Sequence, residues 1–150
     1  MTDPTESLYC GGTLINDQWI LTAAHCMFKD TAGTQPTAAS ESLIVLGEHD
    51  LTITTESKIP KKNVKVSQII NHPSYNADNS DNDISLLKLA EKIDLNVYTP
   101  ACLPKSSDNF EGQKAWVYGK SETIDTTVIR LNFLRLGYHL FRRTNLRQTA

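Results

Sequence analysis

The stretch that decides the fold is Thr22-Ala23-Ala24-His25-Cys26. It is preceded by Tyr9-Cys10-Gly11-Gly12-Thr13 and followed, much later, by Asn82-Asp83-Ile84-Ser85. A histidine beside a cysteine, with an acid placed far downstream, supplies two of the three groups of a nucleophile–base–acid triad. The third group is not seen, because no motif of the Gly-Asp-Ser-Gly-Gly type occurs in the sequence.

Composition limits the size and class of the protein. Its 150 residues are enough for one domain, or for one and part of a second, and 39% of them are hydrophobic. No apolar run approaches the length that crosses a membrane, so no membrane partner is expected. The polar, acidic start from Met1 to Ser7 lacks the basic and apolar regions of a signal peptide.

The charge is unevenly distributed along the chain. Ten lysines oppose seventeen acids up to Asp125, which gives −7, and the five arginines that follow from Arg130 onward give +5. This change in charge predicts two segments, residues 1–119 and a divergent basic tail at 120–150 that is not a domain. A truncated or frameshifted gene product would have such a tail. A basic tail can also bind nucleic acid or membranes, but these arginines lack the clustering of such arms, so no nucleic-acid partner is expected.

Short apolar runs alternate with turn clusters and predict an all-β protein. Turn residues such as Asn16-Asp17-Gln18 and Gly47 separate these runs, and no long segment keeps a helical period. Strands at this spacing indicate an antiparallel β-barrel or sandwich. The predicted strands are residues 13–15, 19–22, 43–46, 51–54, 64–70, 84–89 and 115–118. After Gly119 the alternation of apolar and polar residues becomes irregular and predicts no clear strand.

The ordered motifs resemble the first barrel of a trypsin-like serine protease over about Leu8 to Gly119. They are Cys-Gly-Gly-Thr-Leu-Ile, Leu-Thr-Ala-Ala-His-Cys, Leu-Gly-Glu-His-Asp, His-Pro-Ser-Tyr-Asn, Asn-Asp-Ile-Ser-Leu-Leu-Lys-Leu and Ala-Cys-Leu-Pro. The resemblance implies the first antiparallel β-barrel of a double-barrel fold, here without its opening strand. An exposed barrel edge and poor solubility are therefore expected.

In this family's pattern His25 is the general base, since imidazole exchanges protons near neutral pH. Asp83 is the carboxylate that accepts the imidazole N–H and stabilises the imidazolium. His49, His72 and His139 have no such motif around them. Asp78 and Asp81 are interpreted as solvated loop acids, and Ser85 is excluded as nucleophile because it lies in the same strand as Asp83.

The three cysteines allow either one pair plus one free thiol or three buried thiols. The resemblance implies that Cys10 and Cys26 form a disulfide. Cys102 is then a free thiol, because relatives bond this position to segments not seen in this sequence.

No cofactor and no resident metal are expected, with one weak alternative. Glu48, Asp50 and Glu56 lie in a segment that resembles the calcium loop of some relatives, and carboxylate oxygens favour calcium. Lys58 stands about where a further carboxylate would be wanted, so a solvated acidic loop is the competing interpretation.

The resemblance implies proteolysis by family, acting on protein or peptide substrates in the extracellular space. The same pattern implies that the chain as written is inactive, because the nucleophilic serine, the oxyanion-hole glycines and the specificity pocket are not found in it. A non-catalytic protease homologue that serves as a protein-binding module is the alternative. Substrate specificity and oligomeric state are left open.

Overall fold

The computed structural model describes residues 8–47, 59–109 and 139–143, with backbone only for 8–9 and 139–143. This part of the chain contains six strands and two short 3-10 turns, at His25–Met27 and Ala39–Glu41. The strands are β1 (Leu8–Leu14), β2 (Trp19–Thr22), β3 (Ser42–Leu46), β4 (Lys62–Asn71), β5 (Ser85–Leu89) and β6 (His139–Arg143).

The strands form a closed antiparallel barrel in the order β1-β2-β5-β4-β3-β6. Thr22 at the end of β2 pairs with Ser85 at the start of β5. Leu140 of β6 pairs with Gly11 of β1 on one side and with Val45 of β3 on the other. Among the described strands, β6 therefore joins β1 and β3, and the barrel closes through it.

Alternating burial along the strands produces the core. In β5, Ser85, Leu87 and Leu89 are buried while the residues between them are not, and β2 follows the same alternation. Successive side chains of a strand point to opposite faces, so this pattern directs one face of each strand into the barrel. The most deeply buried side chains include Leu14, Ile20, Met27, Ile44, Leu46, Val64, Leu87 and Leu89.

The segment after β5 packs against the barrel core. Ile93 and Tyr98 are buried in the core cluster, and the backbone N–H of Ala101 donates to the Leu14 carbonyl at 2.8 Å. No helix within the described ranges is long and apolar enough to cross a membrane.

The structure confirms the all-β class and the antiparallel barrel. The expected exposed edge is wrong: β6 occupies the space between β1 and β3, although irregular alternation after Gly119 gave no clear strand there. The predicted strands at 51–54 and 115–118 lie outside the described residues. So does the boundary at residue 119, which stays a prediction.

Candidate active site

His25 is held by the short turn that follows β2. The Met27 N–H donates to the Ala24 carbonyl at 2.8 Å and closes the 3-10 turn, while the Thr22 hydroxyl donates to the Gly11 carbonyl at 2.9 Å. Both neighbours of His25, Ala24 and Cys26, are buried, whereas His25 itself is exposed. The turn therefore presents the imidazole at the barrel surface on an anchored backbone.

Asp83 lies in the turn that enters β5. Asn82 has a φ of 56°, and the Ile84 N–H donates to its carbonyl at 2.7 Å. This left-handed turn is one that asparagine adopts more readily than most residues. Thr22 at the end of β2 and Ser85 at the start of β5 are paired neighbours. This pairing brings together His25 and Asp83, which are 58 positions apart in the sequence.

The Asp83 carboxylate contacts His25 at two points. Its Oδ2 is 2.7 Å from the imidazole Nδ1, and its Oδ1 accepts the backbone N–H of His25 at 2.8 Å. An ionised carboxylate only accepts, so the hydrogen in the first contact is on Nδ1 and the neutral ring keeps a lone pair on Nε2. The His25 side chain is 61% exposed and that of Asp83 24%, so the carboxylate is the more enclosed partner.

The disulfide lies against the other side of the imidazole. Cys10 in β1 is bonded to Cys26, and their Cα atoms are 6.1 Å apart. The Cys26 Sγ is 3.5 Å from His25 Nε2. The bridge ties the turn that carries His25 to the preceding strand, and its presence agrees with the pairing that the sequence resemblance implies.

The remaining candidates do not join this constellation. His72 accepts the Ser74 N–H through Nδ1 at 3.1 Å and so supports its own turn. Asp78 and Asp81 are exposed loop acids. Ser85 is 1% exposed, with its Oγ 2.8 Å from the Asn71 side-chain oxygen, which leaves it enclosed in the sheet.

The other predicted features are a free thiol and residues that the structure describes only by their backbone or not at all. Cys102 is a free, exposed cysteine. His49 and the three acids of the calcium alternative, Glu48, Asp50 and Glu56, lie outside the described residues. His139 is placed only by its backbone in β6.

Sequence reasoning missed Tyr75, which borders the site. Burial raises the pKa of its hydroxyl, and the charge of Asp83 raises it further. Its ring lies 5.4 Å from that of Phe28, and it helps to line an open groove of about 410 Å³ that also involves Gly33 and Asn76. A tyrosine in a His-Pro-Ser-Tyr-Asn turn carries no signal by itself, since only the fold brings it near Asp83.

Comparisons with known proteins agree with this architecture. The profile of the family described as Trypsin matches residues 2–132. A venom serine protease of Polistes dominula is 38% identical over 102 residues, which are 67% of this chain and 34% of the relative. Trypsin-2 of Salmo salar is 35% identical over 120 residues, 79% of this chain and 46% of the relative.

The chain matches this profile over most of its length and therefore belongs to the trypsin family of serine proteases. The antiparallel barrel of its described residues and the contact between His25 and Asp83 agree with that membership. It spans less than half the length of the two relatives named above.

Proposed function

We propose that this protein supplies the base half of a trypsin-like endopeptidase site, with His25 as general base and Asp83 as its orienting carboxylate. The observation that supports this most directly is the double contact of Asp83 with the imidazole Nδ1 and with the backbone N–H of the same residue. One carboxylate thus positions both the ring and the backbone that carries it.

This geometry suits proton transfer. With Nδ1–H donating to Asp83, the lone pair of Nε2 is the free acceptor on the ring. The exposed imidazole can take a proton from a nucleophile and return it to a leaving group. The nearby carboxylate stabilises the imidazolium that forms in between.

The nucleophile of the reaction is proposed to come from outside these 150 residues. The sequence contains no Gly-Asp-Ser-Gly-Gly motif, and a general base without a nucleophile performs no acyl transfer. We therefore expect the 150-residue chain by itself to cleave no peptide. By family, the substrates are proteins or peptides and the location is extracellular.

A chimera tests the proposal. Residues 1–143, which include β6, are fused to the second half of Salmo salar trypsin-2, and hydrolysis of a peptide ester is measured. We expect turnover by the chimera, and its loss by about 10⁴-fold with Asp83→Asn, the effect known for the carboxylate-to-amide change in this family's triad. His25→Ala should be at least as damaging. His72→Ala is the matched control and should stay within about threefold of the parent.

A second measurement uses the chain as it is and needs no turnover. Nitrogen-15 NMR of the His25 ring reports which nitrogen carries the hydrogen in the neutral state. We expect Nδ1–H in the parent chain and a redistribution toward Nε2–H in Asp83→Asn. An unchanged tautomer in that variant, or full turnover by the Asp83→Asn chimera, would refute the assigned roles. Labelling of the unfused chain by a serine-directed phosphonate would show that a nucleophile is present in it.

A further inference from the structure

The imidazole of His25 faces two sulfur atoms. A ring nitrogen of His25, the Sγ of Cys10 and the Sγ of Cys26 all lie within 4.8 Å of one another, and Nε2 is 3.5 Å from the Cys26 Sγ. Two cysteines and one histidine are a ligand set that zinc takes in proteins, with water in the fourth position. In the oxidised protein the sulfurs are bonded to each other, so neither is a thiolate that can bind the ion.

Reduction changes the chemistry of this cluster without changing its residues. A thiol reductant gives the bridge two electrons and two protons: the S–S bond breaks, two thiols form, and the reductant becomes a disulfide. A zinc ion then displaces the two thiol protons, and two Zn–S bonds and one Zn–N bond form. The charge balances as two protons leave for one divalent ion.

The distances suit a tetrahedral site. With Zn–S of about 2.3 Å and Zn–N of about 2.05 Å, a tetrahedral ion separates sulfur from nitrogen by about 3.6 Å and the two sulfurs by about 3.8 Å. The Cys26 Sγ is already 3.5 Å from His25 Nε2. The sulfurs have to move apart after the bridge breaks, and rotation about each χ1 provides that movement between Cα atoms 6.1 Å apart.

Asp83 prepares the histidine for a metal. Ligating histidines commonly donate their other ring N–H to a carboxylate, which fixes the tautomer and makes the metal-binding nitrogen more basic. Asp83 Oδ2 stands 2.7 Å from Nδ1 and leaves Nε2 toward the sulfurs. The exposed side of the ring leaves room for a water ligand, and the buried Cys26 anchors the inner side.

We propose that reduction of the Cys10–Cys26 disulfide converts this corner of the barrel into a zinc site. Its ligands are the thiolates of Cys10 and Cys26 and the Nε2 of His25, with a water molecule in the fourth position. Because a metal on Nε2 takes the lone pair that accepts a proton in base catalysis, zinc binding and the base role of His25 exclude each other. The site itself does not depend on proteolytic function.

The test is a cobalt titration, since Co²⁺ reports tetrahedral thiolate ligation by its sulfur-to-metal charge-transfer and d–d absorption. The full chain carries Cys102→Ser, which removes the competing exposed thiol. It is reduced under argon with a phosphine, which becomes the phosphine oxide with oxygen taken from water. We expect one equivalent of Co²⁺ to bind with thiolate bands, and Zn²⁺ to displace it.

Variants assign the ligands. His25→Ala and Cys26→Ser should each weaken cobalt binding by at least about 100-fold, and Asp83→Asn by about 10–100-fold through the orientation of the ring. His72→Ala is the matched control and should bind like the parent. The oxidised protein should show no thiolate bands.

Three results would overturn the proposal. One is the failure of the reduced parent to bind one equivalent, whether or not circular dichroism shows that it stays folded. Another is that His25→Ala binds cobalt with the affinity of the parent, which would mean that the cysteines bind the ion without His25. The last is equal binding before and after reduction, which would place the ion elsewhere on the protein.

Discussion

Gly47 ends β3 in a conformation that other residues adopt poorly. Its φ is +70°, in the left-handed region where a Cβ is unfavourable. A Cβ added here would also stand 2.5 Å from the Pro60 carbonyl oxygen, which is backbone and has little freedom to move. Both the torsion angle and the close approach of the chain entering β4 require glycine.

We expect Gly47→Ala to lower the free energy of unfolding by about 2–4 kcal/mol, since backbone strain and a backbone contact add. Chemical denaturation followed by tryptophan fluorescence measures this. Gly47→Asn separates the two causes, because asparagine tolerates the left-handed region but brings the same Cβ. Asparagine should recover only the part of the loss that comes from the torsion angle and keep the part that comes from the Cβ contact. Full recovery of the stability would contradict a role for the contact.

At the scale of elements, Tyr98 joins the segment after β5 to the chain that leads into β4. Its hydroxyl donates to the Pro60 carbonyl at 2.7 Å, and the residue is 6% exposed. Burial raises the pKa of this hydroxyl, and the charge of Lys62 partly opposes the shift. The folded protein therefore favours the protonated form of the Tyr98 hydroxyl.

We expect Tyr98→Phe to lower the free energy of unfolding by about 1 kcal/mol at pH 8, because the Pro60 carbonyl loses its donor. The pKa in the folded state is raised, so the unfolded chain releases this proton first. The stabilisation is then complete below the ordinary tyrosine pKa of about 10 and is lost as the pH rises through the folded value. Melting of both proteins from pH 8 to pH 11 should show the gap narrowing; a constant gap would contradict the role of this hydroxyl.

At the scale of the whole molecule, closure of the barrel depends on β6. Leu140 is paired on both sides, with Gly11 and with Val45. Without β6, the facing edges of β1 and β3 would have unpaired N–H and C=O groups, a ready template for pairing with another chain. One short strand thus decides whether the sheet is closed.

Two truncations test this dependence. Ending the chain after Arg143 keeps β6, whereas ending it after Tyr138 removes it. We expect the shorter chain to lose several kcal/mol of stability, from about 0.5–1.5 kcal/mol for each missing hydrogen bond, and to self-associate in sedimentation velocity. The chain that ends at Arg143 should have the stability and the monomeric state of the parent. Equal stability and a monomeric state for both truncations would show that β6 is dispensable.

The sequence predicted those features whose cause is local. Short apolar or alternating runs located β2, β3, β4 and β5 to within a few positions, and turn residues such as Gly47 marked where strands end. The motif around His25 and Cys26 identified the family, because several rare residue types recur in one order. The sequence did not predict that Tyr75 lies close enough to Asp83 for the carboxylate charge to raise the pKa of its hydroxyl, because the fold brings these two residues together.

By itself, then, the sequence determined which segments become strands and which residues are candidates for proton transfer, since both follow from residue type and short-range spacing. Only the tertiary structure decided which distant groups meet. Pairing of Thr22 with Ser85 brings Asp83 to His25. The disulfide to Cys10 places two sulfur atoms beside the same imidazole ring. Strand β6 lies between β1 and β3, although the irregular alternation of its segment did not predict a strand. Such contacts depend on which remote strands become neighbours, and the spacing of residues within one strand does not specify its partner.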